Sequence, residues 1–403
     1  MISPATNRQF LLELARKTLE ALHDAPSSLE AIDDVHPDAV KASLEAALDW
    51  ARLEGATTTE ESVARTVGAE PYIPYNQTLS LLQSAYEEYI ESRGITESPF
   101  DPNDPNWKTI AEERIKAAAR GKHPFIPHRD LDSFRYDLPV DAVVALFSDW
   151  GTGEATAQRV MQQISAVHPT HAIHLGDIYY SGTPKESREH FLDIVEQHGP
   201  SPDTCRYFAL AGNHDYYSGG YGYFDTILPA LRQEASYFNL RNDQWQIIGL
   251  DSGYEEYGLQ KPQLEWLTAQ LDSPTRRSLL LSHHQLFSPY DSRVTKGTLL
   301  NKTEALLPQI QAWFWGHEHR CVIMGEHMGI KARCIGHGGI PSSVPYGKPL
   351  FPEVPIVKVD ERVAPEAEGT CYHGFALLRF QGGIVDISYI DEYGDVFFQE
   401  RFE

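Results

Sequence analysis

Residues 171–180 read HAIHLGDIYY, a short apolar run that ends in an acidic turn. The same arrangement occurs at 143–151, VVALFSDWG, and at 207–215, YFALAGNHD. Short apolar runs bounded by glycine turns are typical of buried β-strands. Amphipathic segments at 158–167 and 185–197 lie between them and predict helices. This alternation of strand and helix predicts an α/β sheet with polar residues at its strand ends.

Later runs continue the pattern towards the C-terminus. Apolar segments at 247–250, 279–281 and 313–315 predict three more strands, and 263–271 predicts a packing helix. The end of the chain is predicted to close as an antiparallel meander, formed by 375–380, 384–390 and 396–402.

The composition is that of an ordinary folded chain with an acidic surface. Of 403 residues, 41% are hydrophobic and 23% are charged, which excludes a disordered, collagen-like or coiled-coil protein. The chain has 34 Lys and Arg residues but 57 Asp and Glu residues, which gives a net charge of -23. Such a surface argues against binding nucleic acid or an anionic membrane through a broad basic face. A small phosphorylated substrate is still permitted, because a bound metal ion reverses the local field.

The sequence predicts a cytoplasmic protein. The four cysteines form no CxxC motif, so a disulfide framework is not expected. No apolar run reaches the length of a membrane span. The N-terminal segment MISPATNRQFLLELARK mixes charges with apolar residues, unlike the core of a signal peptide.

The first third of the chain has a lower glycine content than the rest, with only four glycines before Ser148. Apolar residues three or four apart predict amphipathic helices, and Thr58 with Glu61 predicts a capping box for a further short helix. We therefore predict a helical bundle at 1–121. The bundle is expected to serve as a lid, a partner-binding domain or a homo-oligomerisation module. A proline-containing linker is predicted at 122–140 and a catalytic α/β domain at 141–403.

Polar residues follow nearly every predicted strand. In open α/β sheets the functional crevice lies at the carboxyl ends of the strands, so these residues are expected to converge. Taken singly, each has a plainer interpretation, such as a helix N-cap for Asp149 or a buried imidazole pair for His283 and His284. The set taken in order favours a metal site; its members are Asp149, Asp177, Asn213, His214, His283, His317 and His319.

The donor atoms of this set are oxygen and nitrogen, without a thiolate. That mixture suits iron, manganese or zinc better than a structural zinc site built from cysteines. Two carboxylates and at least three imidazoles are more than one ion usually needs. A carboxylate that bridges two ions accounts for the surplus, and two ions about 3.5–4 Å apart clamp a phosphoryl group and activate water.

The motifs DWG, GDIYY, GNHD, the His283 segment and GHEH resemble the calcineurin-like metallophosphoesterase superfamily. Within it they are most similar to the purple acid phosphatases of the small tartrate-resistant type. Asp149-Trp150-Gly151 and Tyr180 in GDxxY carry this closer likeness, which covers roughly 142–340. The resemblance implies an α/β fold, a layered α/β/β/α sandwich, here preceded by the N-terminal all-α helical domain.

The resemblance also implies roles for individual residues. Two metal ions are expected, iron paired with iron, zinc or manganese. His214 would protonate the leaving group, and Asp215 would orient its imidazole. The first ion would be held by Asp149, Asp177, Tyr180 and His319, and the second by Asp177, Asn213, His283 and His317, with Asp177 bridging.

The implied function is hydrolysis of phosphate monoesters through a metal-bound hydroxide. A phosphodiesterase acting on nucleotides or other diesters is the alternative, and a non-catalytic scaffold is a third reading. The sequence departs from the family pattern after His283, where SPYDSRVTK offers no second substrate-facing histidine. The candidates for that role are His284, Tyr290, Arg293 and Lys296. The glycine-rich loop after GNHD is expected either to stack on an aryl or nucleoside group or to be a flexible surface loop; its tyrosines are Tyr216, Tyr217, Tyr221 and Tyr223.

Overall fold

The computed structural model describes residues 7–23, 37–57, 72–93, 104–272, 275–291, 298–365 and 369–403. The chain divides into two compact units, the first formed by Met1–His123 with Tyr217–Gly220, and the second by Pro124–Tyr216 with Tyr221–Glu403. Among the described helices, none combines the length and the apolar character needed to cross a membrane.

The first unit contains the predicted amphipathic helices. Their buried faces form one hydrophobic cluster that includes Leu14, Leu44 and Leu82. The indole Nε1 of Trp107 lies in this cluster and donates to the Thr18 hydroxyl at 3.1 Å. The short helix predicted near Thr58 lies outside the described residues. In the described part of this unit the helices are α1 (Arg8–His23), α2 (Pro37–Thr57), α3 (Gln77–Arg93) and α4 (Pro105–Ala119).

The described part of the second unit contains two β-sheets, and every predicted strand is present. The eight-stranded sheet has the order β1-β5-β6-β7-β8-β10-β9-β11. Its strands are β1 (Arg135–Asp137), β5 (Phe238–Arg241), β6 (Trp245–Leu250), β7 (Arg277–Ser282), β8 (Ala312–Trp315), β9 (Cys321–His327), β10 (Ile330–Ile335) and β11 (Ile356–Val359).

The six-stranded sheet joins the predicted C-terminal meander to the first strands of the unit. Its order is β14-β13-β12-β2-β3-β4, and β12 pairs antiparallel with β2. The predicted linker at 122–140 contains β1, which pairs parallel with β5. The six strands are β2 (Val143–Phe147), β3 (His171–His174), β4 (Arg206–Ala209), β12 (Gly374–Gln381), β13 (Ile384–Asp391) and β14 (Val396–Phe402).

Helices complete the outer layers. Between the sheets lies a hydrophobic cluster to which both contribute, for example Leu146 and Ile173 from one and Leu281 and Phe314 from the other. Two further clusters cover the outer faces, so the layering is α/β/β/α, as predicted. The main covering helices are α5 (Ala155–Ala166) and α10 (Lys261–Leu271).

Shorter helical segments connect the strands. Pro184–His198 runs through α6 (Pro184–Glu186), a π-helical turn (Ser187–Leu192) and α7 (Asp193–His198). The others are α8 (Asn213–Tyr217), a π-helical turn (Tyr223–Ile227), α9 (Leu228–Leu231), α11 (Thr298–Thr303) and a 3-10 helix (Glu304–Gln309).

Candidate metal centre

The predicted ligands lie at the carboxyl ends of parallel strands from both sheets. Strands β2, β3 and β4 run parallel in one sheet, and β7 and β8 run parallel in the other. Parallel strands end at a common edge, so the turns that follow them meet there. Asp149 follows β2, Asp177 follows β3, Asn213 follows β4, His283 follows β7, and His317 and His319 follow β8.

The backbone is strained at this edge. Within the described residues, nine non-glycine positions have a positive φ. Such conformations are costly for L-residues and persist where surrounding structure enforces them, often at functional sites. Four of the nine are predicted ligands: Asp149 (φ 54), Asp177 (φ 72), His317 (φ 67) and His319 (φ 47).

One set of ligand atoms, here named the acidic group, consists of Asp149, Asp177 and His319. Their ligand atoms all lie within 4.8 Å of one another. The Tyr179 hydroxyl donates towards Oδ1 of Asp149 at 3.1 Å and Oδ2 of Asp177 at 3.2 Å. It also lies 3.0 Å from Nε2 of His319. The acidic group thus gathers two carboxylates, an imidazole and a phenol.

The phenol in this group is not the predicted one. The resemblance to the purple acid phosphatases gave this role to Tyr180 in the GDxxY motif, whereas the structure places the Tyr179 hydroxyl beside the two carboxylates. Tyr180 supplies main-chain contacts instead: its N–H donates to Oε1 of Glu186 at 2.6 Å, and its carbonyl accepts from Nδ1 of His214 at 2.6 Å. The local path of the backbone, which spacing does not encode, decides which of two adjacent tyrosines faces the carboxylates.

A second set, here named the histidine group, consists of His283, His284 and His317. Their ligand atoms also lie within 4.8 Å of one another. Nε2 of His283 lies 3.2 Å from Nδ1 of His317 and 3.2 Å from Oδ1 of Asn213. Nδ1 of His283 donates to the Leu175 carbonyl at 3.1 Å, which directs Nε2 towards the group.

Asp177 lies between the two groups. Its Oδ2 is 3.3 Å from Nε2 of His283, and it also faces the Tyr179 hydroxyl of the acidic group. Its Oδ1 accepts from the backbone N–H of His214 at 2.9 Å. Oδ2 of Asp149 is held in the same way by the N–H of His317 at 2.8 Å. One oxygen of each carboxylate is thus fixed by backbone, while the other faces the donor atoms.

Asp215 does not orient His214, contrary to the prediction. Its Oδ2 accepts from the backbone N–H of Asp177 at 2.9 Å and of Gly212 at 2.7 Å. The carboxyl group therefore ties the turn after β3 to the turn after β4. The His214 imidazole is oriented by the Tyr180 carbonyl instead.

Burial and mutual charge shift the pKa values of the buried groups. Burial raises the pKa of Asp149 to about 7 and that of Asp215 to about 8. Burial also lowers the pKa of His319 to about 3. Burial acts to raise the pKa of Asp177, but the charges of His283 and His214 and their hydrogen bonds to the carboxylate together outweigh burial, so the pKa falls below its usual range. Burial would depress the pKa of His283, but Asp177 raises it to about 9.

This donor set fits a metal ion. Asp149, Asp177 and His283 are at most 1% exposed, and burying carboxylates is costly unless a positive charge accompanies them. The ion-pair partners of these carboxylates in the described part of the chain are imidazoles, His283 and His319. Imidazole, carboxylate, amide and phenol donors together suit iron, manganese or zinc.

Glycines allow the turns to approach the carboxylates. A Cβ at Gly212 would overlap Oδ1 of Asp177, and a Cβ at Gly316 would overlap the Ser148 hydroxyl. These positions in GNHD and GHEH therefore accept no side chain without displacing a ligand or its neighbour.

Tyr257 is a site residue that the sequence did not reveal. Its hydroxyl lies 2.7 Å from Nε2 of His317, and its ring centroid is 4.3 Å from that of His284. It belongs to the loop after β6, SGYEEYG, which carries no recognisable motif. The positive φ of 60° at this residue is visible only in the structure.

The predicted substrate contacts fare differently. The prediction that Tyr216 stacks on the substrate is wrong, because its side chain is only 3% exposed and its hydroxyl donates to Oδ2 of Asp251 at 2.6 Å. His284 is buried within the histidine group, with Nδ1 3.1 Å from the Ser252 hydroxyl. Tyr217 is half-buried. Arg293 and Lys296 lie outside the described residues.

Part of the chain matches a known protein family, and the chain is similar to several solved structures. Residues 142–321 match the family model of the calcineurin-like phosphoesterases. Among solved structures, the chain is similar to GAP50, the anchor in the inner membrane complex of Plasmodium (12% identity, 65% of this chain and 89% of the other, TM-score 0.46). It is also similar to a dimetal phosphatase from Danio rerio (14% identity, 66% and 99%, TM-score 0.43). The phosphoesterase Yfce from E. coli is a third such structure (12% identity, 64% and 98%, TM-score 0.30).

No curated protein sequence matches the chain significantly. The likeness to a known family therefore rests on the match of residues 142–321 to the calcineurin-like phosphoesterases. That stretch contains every predicted metal ligand, from Asp149 to His319.

Proposed function

We propose that the protein hydrolyses phosphate monoesters with two metal ions, one in the acidic group and one in the histidine group. The observation that carries this proposal is the position of Asp177. Its carboxylate faces the Tyr179 hydroxyl on one side and Nε2 of His283, 3.3 Å away, on the other. A carboxylate in this position has ligand atoms of both groups within reach and suits the bridge of a two-metal site.

Each ion would have its own set of protein ligands. We propose iron for the acidic group, where a phenol accompanies the carboxylates, and iron, zinc or manganese for the histidine group. Tyr179 takes the role that the resemblance gave to Tyr180. The first set is Asp149, Asp177, Tyr179 and His319, and the second is Asp177, Asn213, His283 and His317.

When bound, the ions would supply charge neutralisation of the ester and a nucleophile of lowered pKa. The remaining work falls to the protein. Backbone N–H groups of His214 and His317 fix the carboxylates of Asp177 and Asp149. The turn carrying Asn213 is tied to the turn carrying Asp177 through Asp215. These contacts hold the ligands in place before the ester arrives, as catalysis by positioning requires.

His214 is the proposed general acid. Its Nδ1 donates to the Tyr180 carbonyl, which leaves Nε2 as the nitrogen that can transfer a proton to a leaving oxygen. Burial lowers the pKa of His214, while the charge of Asp177 opposes that shift. An anionic ester beside the imidazole would further favour its protonated form.

The proposal is tested by hydrolysis of p-nitrophenyl phosphate against bis(p-nitrophenyl) phosphate. The full chain is stripped with a chelator and then resupplied with iron, zinc or manganese, with Asn213→Ala as the control variant. We expect metal-dependent turnover that favours the monoester and falls at least tenfold in Asn213→Ala. Preference for the diester would replace the monoesterase proposal by a phosphodiesterase, and no turnover of either by metal-loaded protein would contradict both.

A further inference from the structure

The Tyr257 hydroxyl lies beside one nitrogen of His317, a proposed metal ligand. Nδ1 of His317 faces Nε2 of His283 at 3.2 Å, whereas Nε2 of His317 faces the Tyr257 hydroxyl at 2.7 Å. The two nitrogens of one imidazole therefore point to different partners. A neutral imidazole binds a cation through one nitrogen and carries its proton on the other.

We infer that Tyr257 is a positioning residue that holds His317 in the tautomer needed to bind a metal ion through Nδ1. This inference rests on the proposed metal site. With Nδ1 turned towards the histidine group, the proton belongs on Nε2, and the phenol oxygen accepts it. Partners of this kind fix the ring orientation of metal-binding histidines and raise their basicity.

The loop that carries Tyr257 is anchored in a way that fits this role. Nζ of Lys302, in α11, donates to Oε2 of Glu255 at 2.6 Å and to the Leu259 carbonyl at 2.7 Å. Gln260 adds a hydrogen bond to Oε1 of Glu255 at 2.7 Å. Tyr257 lies between these anchored residues with φ of 60°. Strain of this kind is kept where the surrounding structure imposes it.

The ring of Tyr257 also packs beside His284 and His317, with centroids 4.3 and 5.4 Å away. A purely structural tyrosine would act through this packing alone. Tyr257→Phe separates the two roles, because it keeps the ring and removes only the hydroxyl. Tyr207→Phe is the matched control, since its hydroxyl donates to the Pro200 carbonyl at 2.6 Å, a contact that involves no proposed ligand.

The test measures metal binding and the state of the imidazole in the full chain. Zn²⁺ is titrated against a competing chromophoric chelator, and ¹⁵N chemical shifts report the tautomer of His317. In Tyr257→Phe we expect one of two zinc equivalents to weaken on the order of 10- to 100-fold, with a mixture of tautomers at His317. Lys302→Met releases the loop without replacing a ligand. We expect it to weaken zinc binding and to mix the tautomers of His317, as in Tyr257→Phe.

Unchanged zinc affinity and an unchanged tautomer in Tyr257→Phe would overturn the inference, as would equal losses in Tyr207→Phe. Neither readout depends on hydrolysis. Wild-type protein that binds two zinc ions but cleaves no ester would defeat the proposed function while leaving the role of Tyr257 standing. If the wild type hydrolyses the ester and Tyr257→Phe binds zinc as tightly as the wild type, the proposed function would stand and the role of Tyr257 would be refuted.

Discussion

Oδ2 of Asp177 lies 3.3 Å from Nε2 of His283, so a carboxylate that follows a strand of one sheet meets an imidazole that follows a strand of the other. The contact joins the two halves of the sandwich at the edge where their parallel strands end. It also joins the acidic group to the histidine group.

The choice between the two adjacent tyrosines can be tested directly. Tyr179→Phe removes the hydroxyl that faces Asp149 and Asp177, so we expect iron binding by the acidic group to weaken at least tenfold. Tyr180→Phe, with its main-chain contacts intact, is expected to bind iron within about twofold of wild type. The measurement is iron content after dialysis against a fixed chelator concentration. If Tyr180→Phe lost more iron than Tyr179→Phe, the ligand would instead be Tyr180, as the resemblance implied.

Asp215 is expected to stabilise the site turns rather than to transfer protons. Asp215→Ala leaves two buried N–H groups, of Asp177 and Gly212, without their acceptor, which costs on the order of 3 kcal/mol in the free energy of unfolding. Asp215→Asn resembles the protonated acid that a pKa of about 8 favours, so its loss is expected to be smaller. Urea unfolding measures both, and equal losses in the two variants would contradict this explanation.

Gly212→Ala should weaken metal binding, although it replaces none of the proposed ligand residues. The added Cβ would overlap Oδ1 of Asp177, so the carboxylate must move. A displacement of about 1 Å is enough to lower turnover about 100-fold. Gly383→Ala is the control, because its Cβ would meet only the end of the Arg277 side chain, at 3.3 Å. Metal content and turnover are measured together, and wild-type values in Gly212→Ala would refute the close approach.

A buried ion pair is expected to stabilise the sandwich far from the site. Arg333, in β10, donates from Nε to Oε1 of Glu400, in β14, at 2.6 Å and is 3% exposed. Arg333→Met leaves the partly buried carboxylate of Glu400 without its cation, although the Tyr389 hydroxyl still donates to it, and should lower the free energy of unfolding by about 3 kcal/mol. Arg401→Met breaks an exposed pair with Asp386 and should lower the free energy of unfolding much less, because solvent screens exposed ion pairs. Equal losses in urea unfolding would contradict the distinction.

Much of this fold could be predicted because its signals are local. Short apolar runs such as Val143–Phe147 end in glycine turns, and the rule for carboxyl ends of strands then places Asp149, Asp177 and His283 at one edge. The layered fold class and the C-terminal meander followed from the same signals.

What could not be predicted depends on backbone path and tertiary packing. Two adjacent tyrosines follow Asp177, and only the folded turn shows that the hydroxyl of Tyr179 is the one that faces Asp149 and Asp177. Asp215 faces two backbone N–H groups because separate strand ends meet there. Tyr257 reaches His317 from a loop 60 residues away in the sequence, and no spacing rule connects the two.

The most direct test of the account is the number of metal ions bound per chain in the wild type and in Asp177→Ala. Metal-to-protein ratios are measured by elemental analysis after equilibrium dialysis, with Asp149→Ala for comparison. The account predicts two ions in the wild type, fewer than one in Asp177→Ala and one in Asp149→Ala, because only Asp177 serves both groups. A wild type that saturates at one ion, or an Asp177→Ala variant that retains two, would contradict it.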